Sequence, residues 1–266
     1  MRRNIVRSKL RAGDPVINAW CSLPCAYAAE IIANQGYDSV TVDLQHGAMG
    51  FETAFAMLQA ISTTAAVPLA RVPSHESGLM MKLLDAGAYG LICPMVNTGS
   101  DAQAFVAACR YPPVGQRSYG PNRATFYAQA GASAAYTAAA DQEIMLLAQI
   151  ETREAIENLS DILKVPGLDG VYVGPGDLSL SFGAPPSMAP RDPEIRGAIA
   201  HVVTQAKAAG RFAACHTDGV ETAVRRFEDG FGMCTLPNDV RLLIDGARSQ
   251  VISLRERIPS DRQTLD

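Results

Sequence analysis

Short apolar runs recur along this chain, separated by longer stretches in which apolar positions return at helical spacing. The runs are VINAW, DSVTVDL, VPLARV, GLICP, IMLLAQIE, GVYVG, RFAACH and GMCTL. They are rich in Val, Ile and Leu and lack the polar alternation of a half-exposed sheet, so they predict eight strands covered on both faces. Between them, FETAFAMLQAISTTA and ESGLMMKLLDAGAYG read as helices, the second with Gly87 placed to close its C-terminus. The Ala-rich AQAGASAAYTAAADQE, between GLICP and IMLLAQIE, reads as a loop followed by a plain surface helix. Eight β–α units with no Pro/Gly-rich linker predict an α/β fold, a (β/α)8 TIM barrel, as one domain spanning residues 1–266.

Polar residues cluster where these runs stop. DSVTVDL leads into Asp43 and His46, VPLARV holds Arg71, IMLLAQIE ends in Gln149 and Glu151, GVYVG runs into GPGD with Asp177, and RFAACH ends in His216. In such a barrel the C-terminal strand ends converge on the active face, which would place these groups on one rim.

The composition narrows the chemistry. With 266 residues and a net charge of -4, the chain fits one barrel and lacks the basic surface that nucleic acid demands. MRRNIVRSKL has no apolar core or cleavage site of a secretory signal, and no apolar run is long enough to span a bilayer; the expectation is a cytoplasmic protein without a membrane partner. The six cysteines have no paired metal-site spacing and are expected as reduced, buried thiols. Small-molecule chemistry is the default that remains, as an enzyme or as a barrel that only binds small oxo acids.

Glu151 and Asp177, from neighbouring strand ends, suit a hard divalent cation that keeps both ionised; a salt bridge to a nearby arginine is the structural alternative. The glycine turn VGPGD, opening a helix through Gly176, suits an anionic group, and beside a metal it suggests a 2-oxo acid chelating through carboxylate and keto oxygens. Arg71 could stabilise a developing enolate oxygen or form a buried ion pair with Asp43 or Glu151. His46, with Asp43 three residues before it, suits proton transfer to or from a hydroxyl. None of the four lysines, Lys9, Lys82, Lys164 and Lys207, is placed at a strand end, which disfavours Schiff-base chemistry.

VDLQHG, PLARVP, LLDAGAYGLICPMV, YPPVGQRSYG, QIETREAIEN and DGVYVGPGDLSLSFG together resemble the HpcH/HpaI aldolases, the class II pyruvate aldolases, from KLRAGDPVINAW to about Asp239. The resemblance implies a barrel of the phosphoenolpyruvate/pyruvate type. It also implies a homohexamer built as a dimer of trimers, with the C-terminal helix exchanged between subunits. The implied activity is reversible cleavage of a 4-hydroxy-2-oxo acid to pyruvate and an aldehyde, with oxaloacetate decarboxylation or macrophomate-synthase-like enolate chemistry as the alternative. The implied metal is Mg2+ or Mn2+, with Co2+ as a further option, on Glu151 and Asp177. His46 is the implied base, oriented by Asp43, and Arg71 the implied enolate stabiliser. Gln149 stands beside the metal, and the amides around Gly176 and Asp177 receive the pyruvate carboxylate. Asp85 matches a position that reaches a neighbouring subunit's site, or is a plain helix-end carboxylate. Arg123 would meet a distal substrate carboxylate or pair at the surface. Ser118 stands where many members have glycine. His216 replaces an apolar side chain where the aldehyde portion is expected, which implies a more polar or bulkier acceptor pocket unless it faces solvent in a shifted loop.

Overall fold

The computed structural model describes residues 1–258. Each apolar run forms a strand: β1 (Val16–Cys21), β2 (Ser39–Asp43), β3 (Val67–Arg71), β4 (Gly90–Cys93), β5 (Met145–Ile150), β6 (Gly170–Val173), β7 (Phe212–His216) and β8 (Met233–Thr235). All pair in parallel in sequence order, and β8 closes on β1 through Val16↔Met233, Ile17↔Cys234 and Asn18↔Thr235. The result is the TIM barrel that the pattern predicts. Strands β2 to β6 are buried at every residue, which explains why they read as unbroken apolar runs. The one-domain boundary drawn at residue 266 includes 259–266, which lie outside the described residues.

Polar side chains shut the end of the barrel opposite the cavity described below. Asn4 caps the helix Ile5–Ala12 by accepting the Arg7 amide, and its Nδ2 donates to the carbonyls of Tyr89 (3.1 Å) and Glu143 (2.8 Å). Arg7 and Arg110 both pair with the buried Asp169 carboxylate, Arg110 at 2.9 Å.

Three local expectations meet the structure differently. Gly87 does follow the helix Ser77–Asp85, with φ +102, a conformation only glycine adopts without strain; its amide donates to Leu84 O. The Ala-rich stretch is the expected loop followed by a surface helix, but one that is anchored at a single large side chain. Its helix Ser133–Glu143 buries Tyr136 against the guanidinium of Arg117, and a further short helix, Asn122–Tyr127, precedes it. Small alanines give little periodicity, so the buried face was not marked in the sequence. The cysteines are all free and five are buried, but Cys25 is exposed, its Sγ accepting the Ala28 amide at the start of the helix Ala26–Ala33.

Candidate active site

The C-terminal strand ends surround a cavity of about 340 Å3. From β2 and β3 come Asp43 and Arg71, paired in register. Arg71 donates from Nε to Asp43 Oδ1 (2.8 Å) and from Nη2 to Oδ2 (2.7 Å), and its guanidinium lies 4.7 Å from the Trp20 ring centre. Trp20 Nε1 and the amides of Gln45 and His46 complete the donors to Asp43, at 3.1, 3.0 and 3.3 Å. Burial alone would raise the Asp43 carboxyl; the hydrogen bonds and charge of Arg71, with Trp20 and the His46 amide, outweigh it and hold it below the usual range. Arg71 thus forms the buried ion pair anticipated as its structural alternative, yet Nη1 makes no hydrogen bond to the described protein and Arg71 lines the cavity.

His46 sits on the exposed loop after β2 and lines the cavity. Among the described residues its ring has no hydrogen bond to Asp43; the carboxylate reaches only its backbone amide. This corrects the expectation that Asp43 orients the His46 ring: Arg71 and Trp20 supply the side-chain donors to the carboxylate. Gly47 permits the tight loop, since a Cβ there would lie 2.1 Å from Asp43 O.

On the other side, Glu151 follows β5, and Asp177 lies in the first turn of the helix Pro175–Ser181 after β6. Glu151 Oε1 accepts the Met95 amide (2.7 Å) and Oε2 accepts Gln149 Nε2. Burial raises the Glu151 carboxyl and the Asp177 charge adds to that, against lowering by the Met95 and Gln149 donors and by Arg71. Gln149 Oε1 is buried with no partner, so an acceptor stands free beside two carboxylates. The cradle depends on Gly174, where a Cβ would lie 2.7 Å from Glu151 Oε2 and 3.0 Å from Gln149 Nε2. Two carboxylates and an amide oxygen form an all-oxygen donor set that fits a hard divalent ion. Among the described residues no three His, Cys, Asp or Glu side chains gather to hold a metal by themselves, so that ion would keep positions for water and ligand.

The amides of Gly176 and Asp177 open the Pro175–Ser181 helix, where first-turn N–H groups have no intrahelical acceptor; Gly176 also lines the cavity. His216, at the end of β7, faces the same cavity, its ring 5.0 Å from Trp20 in an edge arrangement and its Nδ1 2.9 Å from Tyr172 Oη. It is not solvent-facing in a shifted loop. Burial, then the charge of Arg71, lowers its pKa to about 4.

Asp85 and Arg123 are not brought to this cavity. Asp85 accepts from Arg117 Nη2 (2.6 Å), and Arg117 in turn stacks on Tyr111. Arg123 donates to Ala86 O and Ser62 Oγ, tying its short helix to the preceding elements. Conversely, Trp20, Tyr172, Ser22, Met188 and Asn238 line the cavity without having been singled out in the sequence. Trp20 and Tyr172 stand within apolar runs, where an aromatic reads as core.

The HpcH/HpaI aldolase/citrate lyase family profile matches residues 17–244. The chain is 39% identical over 252 residues to a hydroxypyruvate/pyruvate aldolase of Rhizorhabdus wittichii, covering 95% of this chain and 99% of that protein. It is 39% identical over 246 residues to a pyruvate aldolase of Rhizobium etli, covering 92% and 95%. A crystal structure of an HpcH/HpaI aldolase/citrate lyase family protein from Burkholderia cenocepacia superposes with a TM-score of 0.87 at 29% identity, covering 95% of this chain and 99% of the other.

Proposed function

Because this chain belongs to the HpcH/HpaI aldolase/citrate lyase family and is a pyruvate-type aldolase, we propose that it cleaves 4-hydroxy-2-oxo acids to pyruvate and an aldehyde, reversibly and with a divalent metal. The observation that carries this reading is the pairing, across one cavity, of a buried arginine with a spare Nη1 and a two-carboxylate cradle with a spare amide oxygen.

Glu151 and Asp177 would hold Mg2+ or Mn2+, with Gln149 Oε1 beside it; when bound, the ion polarises the 2-oxo group and neutralises the two carboxylates. The amides of Gly176 and Asp177 receive the substrate carboxylate. His46 takes the C4 hydroxyl proton, the C3–C4 bond breaks, and its electron pair moves into the C2–C3 bond and onto the C2 oxygen as the aldehyde carbonyl forms. Arg71 Nη1 donates to that enolate oxygen until C3 is reprotonated. Asp43 acts on Arg71, holding the guanidinium by two hydrogen bonds, and on the His46 loop through its backbone, rather than on the His46 ring.

One observation favours a second reading, oxaloacetate decarboxylation: among the described residues no side chain hydrogen-bonds the His46 ring to orient it, and loss of CO2 needs no hydroxyl proton removed. Pyruvate release, coupled to lactate dehydrogenase, separates the two. Cleavage of a hydroxy-oxo acid that needs metal and falls about 10^2-fold in His46→Ala supports the aldolase, in line with the usual worth of a general base. Turnover of oxaloacetate alone, indifferent to His46, replaces it with the decarboxylase.

The reading extends to self-association as a homohexamer. The helix Asp239–Arg257 buries only Asp239 against this chain and exposes Leu242, Leu243, Ile244, Val251, Ile252 and Leu254, a surface suited to another subunit. In such an assembly Asp85 would be presented by one subunit to its neighbour's cavity.

A further inference from the structure

Behind the β7–β8–β1 wall of the cavity runs a chain of buried hydrogen bonds that the proposed reaction does not use. From His216 Nδ1 it passes to Tyr172 Oη (2.9 Å), then to Thr235 Oγ1 (2.7 Å). Asn18 Nδ2 donates to Thr235 Oγ1 (2.9 Å), and Asn18 Oδ1 accepts from Ser39 Oγ (2.7 Å) and Thr41 Oγ1 (3.1 Å). Asn18, Ser39, Thr41 and Thr235 have no exposure, so no bulk water completes this set.

The chain has a direction. Among the described residues, the Ser39 and Thr41 hydroxyls have Asn18 Oδ1 as their acceptor; turning the amide over would strand two buried hydroxyl protons. Asn18 Nδ2 therefore points at Thr235 Oγ1. Either hydroxyl can donate across the 2.7 Å between Tyr172 and Thr235. Among the described residues Thr235 Oγ1, already accepting from Asn18, has only Tyr172 Oη as a destination for its own proton. That sends the Tyr172 proton to His216 Nδ1 and leaves the ring's proton on Nε2. The ring is uncharged near neutrality, as its lowered pKa also requires, and Nε2 makes no hydrogen bond to the described protein.

We infer that His216 is a neutral Nε2–H donor of the aldehyde subsite, its tautomer set from Asn18, and that it favours aldehydes bearing a hydroxyl group over alkyl or carboxylate-bearing ones. This rests on the aldolase reading. The neighbouring lining of Ser22 and Asn238 is polar and uncharged, and the Trp20 ring offers an apolar face to carbon. Among the described lining residues the one arginine or lysine is Arg71, already paired with Asp43 and committed to the enolate, so a carboxylate tail finds no counter-charge.

The test combines nitrogen-15 NMR of histidine-labelled protein with pyruvate addition to glycolaldehyde and to acetaldehyde. The wild-type His216 ring should show the Nε2–H pattern. Asn18→Asp, whose carboxylate accepts from Thr235, should reverse the chain and move the proton to Nδ1. Tyr172→Phe should give a mixture, and serves if Asn18→Asp does not fold. The ratio of kcat/KM for glycolaldehyde over acetaldehyde should fall about 10-fold in His216→Leu and in Asn18→Asp, and be largely restored in His216→Gln, as expected for one neutral hydrogen bond. A wild-type ring protonated on Nδ1, or a ratio unmoved in His216→Leu, overturns the inference. No product from either aldehyde, with the ring still Nε2–H, sinks the aldolase reading and the aldehyde preference together while upholding the tautomer.

Discussion

The Asp43 carboxylate accepts donors from Arg71, Trp20 and two backbone amides but none from the His46 ring. Removing it strands a buried guanidinium, so Asp43→Ala should cost about 3–5 kcal/mol of stability, read from urea unfolding, whereas His46→Ala on its exposed loop should cost almost none. His216 supplies a pH signature. Its folded pKa is depressed from 6.5 to about 4, so between those values the unfolded chain binds the proton and the folded one does not. Stability therefore falls as pH drops from about 6.5 toward 4, and His216→Gln should lose less between pH 7 and pH 5 than wild type, measured by urea midpoints. That Asp43, Arg71, Glu151, Asp177 and His216 meet around one cavity was legible, because the C-terminal strand ends of a barrel converge. Tyr172, Asn18 and Thr235 were not: each sits inside a run as an ordinary strand residue, and Asn18 meets Thr235 across 217 positions of sequence.

Strand ends and the turns after them carry the site, so small changes of backbone matter most there. Gly174 has an ordinary negative φ, and alanine would fit its backbone but press on Glu151 and Gln149. Gly174→Ala is expected to weaken Mn2+ binding by about 10–100-fold, measured by calorimetry, with a thermal midpoint within a few degrees of wild type, because what it disturbs is the orientation of the donors. Met95, whose amide holds Glu151, has a left-handed backbone (φ +54), and nothing in GLICPMV announces it. The strands were legible because burial on both faces removes polar alternation. The helix Ser133–Glu143 was legible too, but its buried contact through Tyr136 was not, because alanine fits an exposed and a buried face equally well.

At the scale of the molecule, the barrel closes without the helix Asp239–Arg257, which from Leu242 onward leaves its apolar side chains largely exposed. Sedimentation should accordingly give a mass several times 28.3 kDa, and replacing Leu243 and Leu254 with lysine should shift it toward the monomer. A monomeric wild type would contradict the assembly but leave the cavity's chemistry standing. In the proposed reaction Glu151, Asp177 and Arg71 together stabilise a pyruvate enolate. The most direct measurement is loss of the pyruvate methyl proton signal in D2O, followed by NMR with Mg2+, with EDTA, and with Arg71→Ala. Exchange should require Mg2+, stop with EDTA, and slow about 10^2–10^3-fold in Arg71→Ala, the usual worth of a donor aimed at a developing oxyanion. Exchange that persists in EDTA, or proceeds unchanged without the guanidinium, would contradict that role.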